Sequence, residues 1–216
     1  MNEYDLQTST LLCEIIEQKG SDKGGKDLEK TWHNYTPVYF KLFENIRFEK
    51  IKIFELGLGT NNVNIPSNMG RNGNPGASLY AWSEFFPNAE IYGADIDKDI
   101  LFKYERISTF YCDQTRPEEI KKMWSSPELY GQFHIIIDDG LHDFKSNICF
   151  FENSIHKLSR GGFYIIEDIW NHQVPLFEEQ IKIYENKFNN LTFELLRLPS
   201  SVNKNDNNLL ICRKPF

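Results

Sequence analysis

The chain has little of what several large protein classes require. Only four cysteines occur in 216 residues, Cys13, Cys112, Cys149 and Cys212, and no two form a CxxC pair. Three of them fall inside apolar runs and read as small core side chains, which points to a reducing compartment. No apolar run approaches the ~20 residues of a membrane span. The first ten residues, MNEYDLQTST, are polar and acidic and do not make a signal peptide. A cytoplasmic protein without a membrane partner is the resulting expectation. Basic residues are also short: 24 Lys and Arg stand against 31 Asp and Glu, for a net charge of −7. No dense Lys/Arg face is present to hold a phosphate backbone, which argues against a nucleic-acid partner. A Walker lysine, a GxGxxG turn and a Tyr-x-x-x-Lys relay are missing too, so a NAD(P)-dependent oxidoreductase is the weaker reading. Internal repeats and long low-complexity segments are absent.

What is present is a folded, aromatic-rich chain long enough for a substantial core. Apolar spacing predicts a helix over residues 4–19, ended by Gly20, then a loop SDKGGK at 21–26. Aromatic residues from Trp32 to Phe43 follow, with a helix start at Thr36-Pro37. His33 and Tyr35 in this cluster are candidates for a substrate wall. Strands are expected at 51–54, 90–94 and 107–111, and two more in the stretch Phe133–Trp170. A helix is read around Asp99–Tyr104, another at Pro117–Trp124, and another at 143–158 closed by Ser159-Arg160-Gly161-Gly162. A helix within 171–190 and a hairpin of 191–198 with 209–213 complete the pattern. The βαβ order predicts an α/β fold, with one open, mostly parallel sheet and an antiparallel edge.

Ligands of such sheets bind beyond the carboxyl ends of the strands. Every parallel strand here finishes in acid: Glu55, Asp95, Asp113, Asp138-Asp139 and Glu167-Asp168. Any one could be a solvated loop residue, but five on one edge are hard to read that way. The turn ELGLGTN places Gly57 and Gly59 straight after a strand, where a backbone can approach a ligand. Many carboxylates repel a polyphosphate. A nucleoside with a free ribose and positive charge suits them better, and S-adenosylmethionine carries a sulfonium, an ammonium and a ribose diol. Asp139, Glu167 and Asp168 are hard oxygen donors suited to Mg²⁺ or Mn²⁺. His142, three residues past Asp139, is the candidate general base; the alternative is a plain helix cap. The long loop 61–75, at about 15 residues, is longer than common βα loops and reads as a lid or binding loop.

The stretches HNYTPVY (33–39), FELGLG (54–59), GASLYAWSEFFPNAEIYGADI (76–96), RISTFYCDQ (106–114), IIDDGLH (136–142) and GGFYIIEDIW (161–170) resemble the class I SAM-dependent sugar O-methyltransferases of macrolide and capsule biosynthesis. The resemblance covers roughly residues 20–170. It implies a Rossmann-like, mostly parallel seven-stranded sheet with helices on both faces and a C-terminal antiparallel hairpin. It implies cofactor contacts at Glu55, Gly57, Gly59, Ser78, Asp95, Asp113 and Gln114, with Asp138 beside them in a supporting place. It implies metal ligands at Asp139, Glu167 and Asp168 and a catalytic base at His142. The chain departs from the family at Leu141, where serine is common, at Asn61, where a third glycine might stand, and in the composition of loop 61–75. The extra N-terminal domain of the larger macrolide enzymes is not in this sequence.

One domain over 1–216 is expected, with 1–50 as a helical segment covering the active site. The expected reaction moves the SAM methyl group to an oxygen of a sugar or nucleotide-activated sugar, in capsule, polysaccharide or natural-product biosynthesis. A phosphoramidate or phosphate oxygen is the alternative acceptor. A SAM-fold binding module without catalysis would not need His142 and three such carboxylates together. The aromatic surplus near the N-terminus hints at a homo-oligomer.

Overall fold

The structure, a computed structural model, describes residues 4–216. Eight strands form one sheet in the order β3-β4-β2-β1-β5-β6-β8-β7. Five of them are parallel: β1 (Lys52–Leu56), β2 (Glu90–Asp95), β4 (Ile107–Tyr111), β5 (Phe133–Asp138) and β6 (Leu158–Ile166). The antiparallel pair β7 (Thr192–Arg197) and β8 (Asn208–Arg213) closes one edge. The two-residue β3 (Lys103–Tyr104) pairs antiparallel with β4 at the other edge and makes the eighth strand.

Strand alternation divides the core into two layers. Ile53, Ile91, Ile135, Ile137 and Ile165 face α1 (Leu11–Lys19), α2 (Thr36–Phe43) and α3 (Ala77–Phe85). Phe54, Leu56, Ile136, Tyr164 and Ile166 face α4 (Pro117–Trp124), α5 (Phe144–Ser154) and α6 (Val174–Lys187). Helices on both faces leave the strand ends as the place where polar side chains can gather.

Three local expectations change. The first helix begins at Leu11, because Thr10 caps it through Cys13 N and Asp5 spends its carboxylate on a turn at Gln7 and Thr8. The 99–104 stretch holds a short 3₁₀ turn, Lys98–Ile100, and then β3, not a helix. Gly161 and Gly162 do not end the preceding helix: β6 runs through them. The β5–β6 register shifts there, and a Cβ on Gly162 would lie 2.8 Å from the His134 carbonyl oxygen. The glycines serve a bulge within a strand. Among the described residues no helix is long and apolar enough to cross a membrane.

Candidate active site

Backbone hydrogen bonds carry the sheet register one residue beyond the strands. Gly57 N donates to Ala94 O, Asp139 N to Leu56 O, Glu167 N to Asp138 O and Cys112 N to Asp95 O, all at 2.8–3.0 Å. The acids at the strand ends are therefore set relative to one another by the sheet itself. Four of them, Asp95, Asp113, Asp139 and Asp168, border a cavity of about 580 Å³.

Gly57, Gly59, Ser78, Asp95, Asp113 and Gln114 line one part of this cavity. Gly57 has φ +90°, and a Cβ there would sit 1.8 Å from the Asp139 carbonyl oxygen, so the first turn and the fifth strand's end touch through backbone alone. Asp95 accepts from Leu58 N at 2.7 Å and Asp97 N at 2.8 Å, which fixes its carboxylate at the cavity wall. Glu55 does not line the cavity. It is fully buried and accepts from Ser78 Oγ and Trp82 Nε1. Asp138 is also fully buried, held by Gln114 Nε2 at 3.1 Å and Asn147 Nδ2 at 3.0 Å. Burial pushes its carboxyl up to about 7 against those two bonds.

The loop 61–75 contributes Ile65, Pro66, Ser67, Asn68, Met69 and Asn74 to the wall. Asn61, just past the glycine turn, organises this loop: its amide donates to Gly73 O at 2.7 Å and reaches Gly70 O and Arg71 O at 3.3 Å. Ser67 Oγ ties the loop to Leu141 O at 2.8 Å.

Asp139, His142 and Asp168 converge on the same cavity. Donor atoms of the three lie within 4.8 Å of one another. His142 Nε2 is 3.2 Å from Asp139 Oδ1 and 3.5 Å from Asp168 Oδ2. Burial would lower the imidazole pKa, but Asp168 and Asp139 override it and raise it to about 10. His142 and Asp168 both sit in the left-handed backbone region, at φ 57° and 53°, an uncommon conformation for such residues. Such outliers cluster at functional sites.

Glu167 is turned away from this trio. One oxygen accepts from Tyr39 Oη and the other from Lys23 Nζ. Lys23 also pairs with Asp139 Oδ2 and stands 3.5 Å from Glu55 Oε1, with only 2 % of its side chain exposed. Burial works against its charge; Asp139, Glu167 and Glu55 outweigh burial and raise its pKa well above that of a free lysine.

His33 lines the cavity, 3.5 Å from Asp168 Oδ1, with its other nitrogen 3.3 Å from Asn203 Nδ2. Tyr35 does not line it. Its hydroxyl, fully buried, donates to Asp168 Oδ1 at 2.8 Å, reaches Asp206 O at 3.1 Å and accepts from Asp168 N at 3.3 Å. Of the two residues assigned to the substrate wall, the structure thus sets His33 at the wall and Tyr35 behind Asp168. Burial keeps the Tyr35 and Tyr39 phenols protonated, so both act as donors.

Lys23 and Asp206 are the residues that reading by motif passes over. Lys23 lies in SDKGGK, a stretch open to reading as a plain connector, and its partners are 116 and 144 residues away. Two lysines, Lys23 and Lys26, flank the glycine pair shortly before HNYTPVY, and nothing local separates the one that reaches the site. Asp206 sits in a polar turn between two strands, yet it lines the cavity.

Comparison with known proteins fits this geometry. No protein-family model matches the chain. The 8-demethyl-8-(2-methoxy-alpha-L-rhamnosyl)-tetracenomycin-C 3'-O-methyltransferase of Streptomyces olivaceus is 30% identical over 167 residues, 76% of this chain and 38% of that protein. The mycinamicin VI 2''-O-methyltransferase of Micromonospora griseorubida is 33% identical over 148 residues, 68% of this chain and 34% of that protein. The chain therefore spans well under half the length of these curated relatives. A methyltransferase from the mycinamycin biosynthetic pathway, solved in complex with Mg, SAH and mycinamycin VI, shares the fold. Its TM-score is 0.73 at 24% identity, over 97% of this chain and 56% of that one. By sequence the chain is similar to parts of longer sugar O-methyltransferases, and it shares its α/β fold with the methyltransferase of the mycinamycin pathway.

Proposed function

We propose that this chain transfers the methyl group of S-adenosylmethionine to a hydroxyl of a sugar carried by a small molecule, with the help of Mg²⁺ or Mn²⁺. One observation carries the reading. The trio Asp139, His142 and Asp168 opens onto the same cavity as Gly57, Gly59 and Asp95. A donor pocket and a set of hard oxygen ligands with an adjacent imidazole are what metal-assisted methyl transfer to oxygen requires.

The residues fit both groups. The cavity volume suits a nucleoside-sized ligand. Asp95 and Asp113 offer carboxylates to a ribose diol and to positive charge, and Glu55 braces Ser78 and Trp82 behind the turn. Asp139 and Asp168 offer carboxylate oxygens to a hard cation, with Glu167 next to them in sequence and in space. Such a cation supplies positive charge that lowers the pKa of an acceptor hydroxyl. His142 then has a defined task. Its high pKa comes from Asp168 and Asp139; once those carboxylates are shared with a cation, the imidazole returns toward neutrality and can take the hydroxyl proton. The acceptor oxygen forms the new C–O bond as the S–CH₃ bond breaks, and the electron pair stays on sulfur. Tyr35 and His33 hold Asp168 from behind and from the side, which fixes the carboxylate during this exchange.

Charge on the wall narrows the acceptor. Lys23 is the single Lys or Arg among the described residues that border the cavity, and three carboxylates already surround it. An uncharged glycoside fits that wall better than a nucleotide-activated sugar, a capsule phosphate or a phosphoramidate. The four cysteines are free, consistent with work in the cytoplasm. The whole chain acts as one unit in this reading, since its N-terminal segment supplies Lys23, His33, Tyr35 and Tyr39 to the site.

The test is transfer of labelled methyl from S-adenosylmethionine across neutral glycosides, nucleotide sugars and capsule precursors, with and without EDTA. Label is expected in a neutral glycoside and is lost with EDTA. The His142→Ala variant is expected to lose turnover by about 10²-fold or more while binding S-adenosylhomocysteine as before. Transfer that survives EDTA, or a His142→Ala enzyme of full activity, would overturn the roles given to these residues.

A further inference from the structure

Lys23 has no part in methyl transfer as described, yet it is the most completely buried cation of the site. Its ammonium meets Asp139 Oδ2 and Glu167 Oε2 at once. The remaining oxygens of those two carboxylates are also taken: Asp139 Oδ1 faces His142, and Glu167 Oε1 accepts from Tyr39 Oη. Asp139, His142 and Asp168 form a compact donor set, but Glu167, bound to Lys23 and Tyr39, is not part of it. The three-carboxylate centre is therefore incomplete while Lys23 stays where it is.

We propose that the Lys23 ammonium is a resident counter-ion of the metal centre, and that a divalent ion must displace it from Asp139 and Glu167 to bind there. This rests on the metal-assisted reading above. A buried cluster of carboxylates without a cation is costly, because each charge is out of water and repels its neighbours. Lys23 offsets that cost in the metal-free protein. A divalent ion brings twice the charge to the same oxygens, and an ammonium and such an ion repel each other across a shared carboxylate. The exit is also built in. Glu55 Oε1 lies 3.5 Å from Nζ and is the third carboxylate of the lysine's surroundings. Withdrawing from the metal side leaves Lys23 paired with Glu55, the residue that braces Ser78 and Trp82 under the donor turn. The segment that carries Lys23 lies between α1 and α2 and is irregular, fixed near the lysine by Tyr35 N to Lys23 O at 3.0 Å and His33 N to Asp22 O at 3.2 Å. A flexible four-carbon stem can make this short move without moving that backbone.

The experiment is Mn²⁺ binding by calorimetry to wild-type protein and to Lys23→Met, each with S-adenosylhomocysteine present. The Met variant is expected to bind Mn²⁺ about tenfold or more tightly, some 1.4 kcal/mol. It should also melt lower than wild type in EDTA and gain more from added Mn²⁺. Equal or weaker Mn²⁺ affinity in Lys23→Met would overturn the proposal and make the lysine a support of the metal site. No Mn²⁺ binding by either protein would overturn the metal reading itself, and this inference with it. A second measurement needs no folded variant: the ¹⁵N resonance of the Lys23 ammonium in wild-type protein should move as Mg²⁺ saturates the site. Saturation with that resonance unmoved would equally refute displacement.

Discussion

On the metal-assisted reading, Tyr35→Phe separates the support of the proposed ligand Asp168 from the ligands themselves. The phenol is fully buried and does not border the cavity, so removing one oxygen leaves the wall unchanged. What goes is the bond to Asp168 Oδ1 at 2.8 Å, the contact with Asp206 O at 3.1 Å and the acceptor for Asp168 N at 3.3 Å. One hydroxyl hydrogen cannot serve both acceptors fully, so the loss counts as one charge-assisted bond and one stranded backbone donor. The first contributes roughly 1.5–3 kcal/mol and the second about 1 kcal/mol, giving about 2–4 kcal/mol in all. For a chain of this size each kcal/mol moves the melting point by about 2–4 °C, so a fall of about 4–16 °C is expected. Asp168, already at φ 53°, also loses the group that holds its backbone in place. Mutating a residue that orients a metal ligand typically weakens metal affinity about 10–100-fold. The assay is a melting curve in EDTA together with Mn²⁺ and S-adenosylhomocysteine titrations. Mn²⁺ affinity should fall while S-adenosylhomocysteine affinity stays, because Asp95 and the Gly57 turn do not touch Tyr35. An unchanged melting point with unchanged Mn²⁺ affinity would refute the reasoning, as would loss of nucleoside binding alone.

Gly57→Ala should act on both halves of the site at once. At φ +90°, with the new Cβ 1.8 Å from Asp139 O, strain and overpacking together cost about 3–5 kcal/mol. A melting point lowered by about 6–20 °C, with both S-adenosylhomocysteine and Mn²⁺ binding weakened, is the expected result, and a neutral substitution would show the two turns to be independent. Stability without metal should fall as pH rises. His142 has its folded pKa raised to about 10, so its contribution is whole below about 6.5 and is lost as pH climbs through 10. Asp138, raised to about 7, adds a loss in the same direction between its ordinary range and pH 7. Denaturant titrations in EDTA from pH 6 to 10 should show a decline on the order of 2–4 kcal/mol that His142→Gln largely removes; a flat profile in wild-type protein would contradict the ion pairs described.

Much of this arrangement was legible from residues alone because it is local. Pro37 marks the start of α2, Pro117 that of α4, and each parallel strand is a short apolar run ending in acid. The gathering of Asp139, His142 and Asp168 follows from strand adjacency once β5 and β6 are taken as neighbours. What was not legible depends on contacts distant in sequence. Lys23 is one charge in a glycine-containing loop until folding brings it to Glu167, and nothing in its neighbourhood announces that partner. Tyr35 reads as a wall residue by its place in an aromatic cluster, and only the packing of the 199–207 loop over it turns its hydroxyl to Asp168 and Asp206 O. That loop reads as a polar turn, yet Asn203, Asp206 and Asn207 are buried and bonded to one another or to residues 33–35. Gly161 and Gly162 carry the same local signal in a helix-ending turn and in a strand bulge, so the sequence does not separate the two.

The most direct test of the metal-assisted site is crystallographic. Crystals grown with S-adenosylhomocysteine and Mn²⁺ would be measured at a wavelength where manganese scatters anomalously. The account predicts one strong peak within about 2.1–2.4 Å of carboxylate oxygens of Asp139 and Asp168, with the nucleoside lying against Asp95 and the Gly57 turn. Manganese absent from those carboxylates, or bound elsewhere while they stay paired with Lys23 and His142, would contradict it.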